Sequence, residues 1–172
     1  MSMAELAHGL LLQGQAKEAL ELADQSVAGF EFMGSKLDFP HVYHVRAEIR
    51  WQLGRFDEAL ADVAYELNHC EHQNERFPIA ELHRLRGEIL LSQSADNGDE
   101  AEQCFRKAIE VAQQQAAKSW ELRAATSLAR LLRDTGRSDE ARSLLAGIHE
   151  WFTEGFETPD LIDARSLLDE LA

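Results

Sequence analysis

Apolar residues recur at intervals of three and four along most of the chain, as in Val42, Val45, Ile49 and Leu53, or Leu122, Ala125, Leu128, Leu131 and Leu132. That spacing places each set on one face of an α-helix and predicts a run of amphipathic helices packed through those faces. A second series reads the same way: Leu60, Val63 and Leu67; Phe105, Ala108, Ile109 and Ala112; Leu144, Leu145 and Ile148. Small residues sit within these faces. Ala7, Ala47, Gly87 and Ala129 occupy the first helix of each pair and Ala19, Ala59, Ala101 and Ala141 the second, where bulk would force two closely approaching helices apart.

The four second-helix alanines lie 40, 42 and 40 residues apart, each inside a short motif with a glycine and an acidic residue: QGQAKEAL, LGRFDEAL, NGDEAEQCF and TGRSDEAR. A period in this range predicts stacked helical hairpins. The fold expected is all-α, a right-handed superhelical solenoid of about four hairpins spanning 2–36, 40–74, 78–116 and 118–153, with a C-terminal capping helix over 158–171, all in one domain covering 1–172. Pro40 and Pro78 fall near first-helix starts, where a missing amide donor is tolerated. The third turn, SADNGD, is longer than the others and predicts a protruding, mobile loop. Thr158-Pro159-Asp160 reads as a helix start, and Asp160, Asp163, Asp169 and Glu170 are expected on the outer polar face of a terminal element. Trp151, Phe152 and Phe156 are expected to wedge that closing helix onto the stack.

Charge narrows the function. Seventeen basic against 31 acidic residues give a formal charge of −14, which disfavours nucleic acid as a partner. No apolar run is long enough to span a bilayer and no signal-peptide pattern opens the chain, so a cytoplasmic protein without membrane contact is expected. Cys70 and Cys104 belong to no Cys-x-x-Cys pair and are expected as reduced, semi-buried packing residues. His41 with His44, and the run His69-Cys70-Glu71-His72, have spacings that permit metal ligation, but helix-end histidines more often serve as polar caps, and neither metal nor cofactor is assigned. With no phosphate-binding loop, activated nucleophile or paired catalytic carboxylates, the sequence predicts no enzyme.

The motifs above resemble tetratricopeptide repeats, best in SLARLLRDTGRSDEARSLL of the fourth hairpin. From Ile79 to Leu171, in ELHRLRGEILL, AEQCFRKAIEVA and WFTEGFETPDLIDARSLLDEL, the chain resembles the C-terminal repeat tail of large bacterial predicted ATPases, relatives of which accompany adenylate cyclase or transcriptional-regulator modules. The resemblance implies a scaffold or sensor segment in bacterial signal transduction. It carries no ATPase activity over, since the chain has no GxxxxGK[ST] loop.

In a right-handed stack of such hairpins the first helices line the concave face. Their non-core residues are His41, His44, Glu48, Trp51 and Gln52 in the second hairpin, and Glu81, Arg84, Glu88 and Leu91 in the third. The fourth contributes Arg123, Thr126, Arg130 and Arg133. Arginines clustered in an acidic protein either select a partner's acidic segment or free C-terminus, or pair with acids on adjacent repeats. Trp51 is either an aromatic anchor or a packing residue. Arg46 and Arg86 stand beside the small residue of their helices and are expected to pair with glutamates of neighbouring helices. The function expected is a protein–protein interaction module binding a peptide or protein on this face, with Arg84, Arg123 and Arg130 foremost. The alternative is a regulatory or oligomerisation segment of a larger ATPase, cyclase or transcriptional regulator, and a small-ligand sensor ranks behind both. Self-association through exposed ends, with Leu6, Leu10, Leu11 and Leu12 at the first helix, is a further expectation.

Overall fold

The computed structural model describes residues 2–33, 40–73 and 78–172, without the side chains of Met33, Pro40, His41 and Gln73. The ends expected for the first two hairpins, at 36 and 74, lie outside the described residues. The chain divides into two compact units, Met1–Pro78 and Ile79–Ala172.

In the first unit α1 (Met3–Leu12) packs on α2 (Ala16–Met33) and α3 (Pro40–Gln52) on α4 (Phe56–Gln73), with α3 also against α1 and α2. Ser2 caps α1 reciprocally: its hydroxyl accepts from the Glu5 amide while the Glu5 carboxylate accepts from the Ser2 amide. Ala7, Ala19, Val45 and Ile49 form the buried centre. In the second unit α5 (Ile79–Gln93) packs on α6 (Gly98–Gln114) and α7 (Lys118–Asp134) on α8 (Ser138–His149), and α9 (Pro159–Glu170) lies against α7 and α8. Leu122, Ala125, Leu128, Leu131 and Leu132 of α7 are all buried, as their spacing predicts. Among the described residues there is no strand.

Three hairpin turns are copies of one another. Gly14, Gly54 and Gly136 hold positive φ of 77°, 73° and 81°. The amide after each glycine reaches back to a helix carbonyl, from Gln15 to Leu10 at 2.9 Å, Arg55 to Arg50 at 2.8 Å and Arg137 to Leu132 at 2.8 Å. This closes the helix and turns the chain, and the left-handed conformation favours glycine there. The third hairpin departs from the pattern. Gly98 is not its turn residue but the first residue of α6, with φ −54°. The longer segment folds as a 3-10 turn, Ala95–Asn97, pinned by the Asp96 amide on Ser94 Oγ (3.2 Å) and by Asn97 Nδ2 on the Leu90 carbonyl (3.0 Å). Two side-chain ties thus replace the expected loose loop. Between α6 and α7 the same reversal is made by Ala116, at φ 54°.

Gly87 justifies its place in the small-residue series: a β-carbon there would meet the ring of Phe105, itself fully buried on α6. Cys70 and Cys104 are both buried free thiols, deeper than expected, and burial pushes the Cys104 thiol up. Trp151 and Phe156 are 58% and 45% exposed, so they are no buried wedge. Trp151 instead packs edge-on against Phe152 and under the Lys118 ammonium. Leu161, Ala164 and Leu167 anchor α9. On α1, Leu11 is buried while Leu6 and Leu12 are exposed.

Candidate partner-binding surface

On α7 the residues Arg123, Thr126, Arg130 and Arg133 follow at intervals of three and four and so rise along one helix face. Thr126 is nonetheless buried, its hydroxyl donating to the Leu122 carbonyl at 2.8 Å, which leaves the arginines as the reactive part of the row. Arg123 Nε bonds Asp160 Oδ2 at 2.8 Å and faces Glu81 at 3.9 Å. Arg130 pairs with Asp163. Arg133 meets Asp134 at 2.9 Å and Glu170 at 2.5 Å, and the Asp134 hydrogen bond foremost raises its pKa.

Three of the four α9 acids therefore pair with α7 while Asp163, Asp169 and Glu170 stay exposed, so the polar face of the terminal helix also carries its ionic contact with α7. The reason is that the terminal helix lies across the arginine row, where each guanidinium offers several donors to a carboxylate. Arg84 on α5 pairs with Glu81 at 2.7 Å and Glu88 at 3.2 Å, and Glu88 also accepts from Ser127 Oγ at 2.5 Å, joining α5 to α7. Between these groups an open cleft of about 190 Å³ is lined by Arg84, Arg123, Thr126, Ser127, Arg130, Asp160 and Asp163. Acids match the arginines here, so the local reversal of charge expected from the α7 sequence is cancelled by α5 and α9. Leu91 is half-buried on α5.

In the first unit, Glu48 lies between two histidines, His44 Nε2 at 3.4 Å and His8 Nδ1 at 3.5 Å. Trp51 is half-buried and Gln52 exposed on the same helix, while the His41 side chain lies outside the described residues. The same helix also carries an ionic cluster around the buried Asp62 that sequence reasoning saw only in part. Arg46 grips Asp62 with two bonds of 3.0 and 2.6 Å and reaches Asp24 at 3.2 Å, and Arg50 holds the same Asp62 at 2.7 Å. The partners are aspartates, not glutamates: α4 and α2 pass close enough that the shorter side chain fits. Burial works against the Arg46 charge, but Asp62 and Asp24 outweigh it and raise its pKa. Arg86 does pair with a glutamate, Glu100, at 2.7 Å. Among the described residues no group of three or more His, Cys, Asp or Glu is arranged to hold a metal ion, and no helix is long and apolar enough to cross a membrane.

Antiparallel helix pairs closed by a recurring glycine turn define a helical-repeat protein. Two tetratricopeptide-repeat family models match the chain, one over 78–146 and one over 1–25 and 40–61, and the chain is a tetratricopeptide-repeat protein. Neither model describes a catalytic domain. No curated protein is recognisably similar in sequence. Among solved structures, a kinesin light chain-like protein of Podosopora anserina with nearly identical TPR-like repeats is similar at 19% identity and TM-score 0.75, over 98% of this chain and 82% of that one. BtubC (BKLC) from P. vanneervenii is similar at 18% identity and TM-score 0.78, over 98% and 70%. Yeast histone chaperone Hif1, described as a scaffold protein recruiting protein complexes to core histones, is similar at 15% identity and TM-score 0.69, over 98% and 93%. These likenesses show the fold: all-α, built of tetratricopeptide-type hairpins.

Proposed function

We propose that the chain is a protein–protein interaction module and that its second unit takes an acidic segment of a protein partner on the face shared by α5 and α7. The observation that carries this reading is the convergence of Arg84, Arg123 and Arg130 on one open cleft. The pairs of Arg123 with Asp160 and of Arg130 with Asp163 join part-exposed side chains and are worth about 0–1 kcal/mol each, so a partner's carboxylates can replace those two at little cost. An open cleft lined by charged groups does not offer the closed apolar pocket that a small-ligand sensor needs. In the first unit, His44, Glu48 and Trp51 form a second candidate surface of the same kind.

A regulatory segment of a larger ATPase, cyclase or transcriptional regulator is the second reading. It is favoured by the coincidence that the resemblance to the ATPase tail begins at Ile79, where the second compact unit also begins.

The test replaces Arg84, Arg123 and Arg130 together with alanine and titrates labelled acidic peptides, with free or amidated C-termini, into both proteins. A loss of about tenfold or more in affinity with the helical fold retained is expected, with a preference for the free terminus if a C-terminal carboxylate is the epitope. Equal binding by both proteins would remove the assignment.

A further inference from the structure

Two groups meet the ring of Tyr43 on α3: the Arg46 guanidinium lies 5.0 Å from its centroid, and Tyr65 of α4 stacks on it at 4.3 Å, 28° from parallel. Tyr43 is buried, and its hydroxyl donates to Glu31 Oε1 of α2 at 3.2 Å. Burial foremost, and then Tyr65 and Glu31, push the Tyr43 pKa up, so the hydroxyl keeps its proton and holds the carboxylate in place. Three helices thus set an aromatic stack beside a carboxylate.

Both outer members of this group are open. Tyr65 is 53% exposed, and among the described residues no cation lies over its ring. Glu31 is exposed, and among the described residues no cation pairs with it. The nearby acids differ in this respect: Asp24 and Asp62 are held by Arg46 and Arg50, and Glu58 by Arg55. Phe32, next to Glu31, is 93% exposed and offers apolar surface to the stem of a long cationic side chain. Together α2 and α4 carry nine carboxylates against one lysine, so a positive segment is drawn toward this side.

We propose that Tyr65 and Glu31 form a docking surface for a basic segment of a protein partner, with one arginine stacked on the open face of Tyr65 and a second paired with Glu31. Arginine is favoured over lysine because its planar, weakly hydrated guanidinium lies flat on a ring, as Arg46 already lies over Tyr43. A second copy of the chain is disfavoured as the occupant, since each copy carries a formal charge of −14 and the two repel. The surface belongs to the first unit and uses none of the arginines of the α5–α7 face, so the two assignments stand or fall separately.

The probe is a fluorescein-labelled peptide of alternating glycine and arginine, titrated into the full chain beside matched peptides with lysine or citrulline in place of arginine. The arginine peptide is expected to bind tighter than the lysine peptide at equal charge, and the citrulline peptide not to bind. Tyr65→Leu keeps an apolar cover on Tyr43 but removes the ring face; it should weaken the arginine peptide about two- to fivefold and erase its advantage over lysine. Tyr65→Phe keeps the ring and should keep that advantage. Glu31→Gln should weaken both basic peptides more than Glu154→Gln, which removes the same charge from an exposed position in the second unit. Equal losses in Tyr65→Phe and Tyr65→Leu, or no loss in either, would overturn the stacking contact. Equal effects of Glu31→Gln and Glu154→Gln would show attraction by net charge alone and overturn the site. Tyr65-dependent self-association of the wild-type chain in sedimentation would assign the surface to a second copy and overturn the basic partner.

Discussion

Gly87 of α5 faces the ring of Phe105 on α6: a β-carbon built on Gly87 would lie 2.5 Å from the Cε1 of the Phe105 ring. The ring is fully buried and has nowhere to turn. Gly87→Ala gains about 1 kcal/mol of helix propensity but overpacks the crossing at a cost of about 1–3 kcal/mol. A net loss of about 1 kcal/mol is expected in urea denaturation, and Gly87→Ala paired with Phe105→Leu should recover part of it.

Ala116 makes the turn between α6 and α7 at φ 54°, where Gly14, Gly54 and Gly136 make the corresponding turns elsewhere. A side chain in the left-handed region costs about 1–2 kcal/mol. Ala116→Gly should therefore stabilise the second unit, by about 1 kcal/mol once the added freedom of the unfolded glycine is set against it. Thermal melts of the two proteins decide this; a lowered melting temperature would show that Ala116 is not strained.

Asp62 is 3% exposed and shared by Arg46 and Arg50. Asp62→Ala leaves two guanidinium groups facing an emptied buried site and is expected to destabilise the first unit by about 3–5 kcal/mol. Hydrogen exchange of α3 and α4 amides reports the loss. Protection in α7 should be less affected.

Glu102 on α6 accepts from Arg137 at 2.7 Å and from Arg106 at 2.7 Å. Burial pushes its carboxyl up, but these hydrogen bonds outweigh it and hold the pKa below the ordinary 4.5. A carboxylate with a lowered folded pKa contributes stability above its unfolded value, and that contribution fades as pH falls through the folded one. The second unit should thus lose stability as pH drops below about 4.5, and Glu102→Gln should flatten the slope in that window while lowering stability at pH 7. An unchanged acid limb in urea titrations at several pH values would rule this out.

Local spacing carried the helices and the small-residue contacts, because both depend on neighbours within a turn or within one repeat. Gly14, Gly54 and Gly136 were readable for the same reason: one glycine at one offset closes each helix. Gly98 misled because a glycine near a turn also opens helices, and only the 3-10 turn before it decides which. The arginine row was legible from its periodicity, but its partners were not. Asp160 lies 37 residues from Arg123 and Asp163 33 from Arg130, and nothing in the spacing of either helix says that they will meet. Arg46 sits between these cases. Its need for a partner followed from its place beside Ala47, while the choice of Asp62 depended on how closely α4 passes.

The separation of α7 from α9 along the chain also sets a clock. Arg123 leaves the ribosome 37 residues before Asp160, which at ordinary elongation rates of about 5–20 residues per second amounts to about two to seven seconds. During that interval the arginine row is made but the α9 acids that pair with it are not, so α7 stands without those ion pairs until α9 is synthesised.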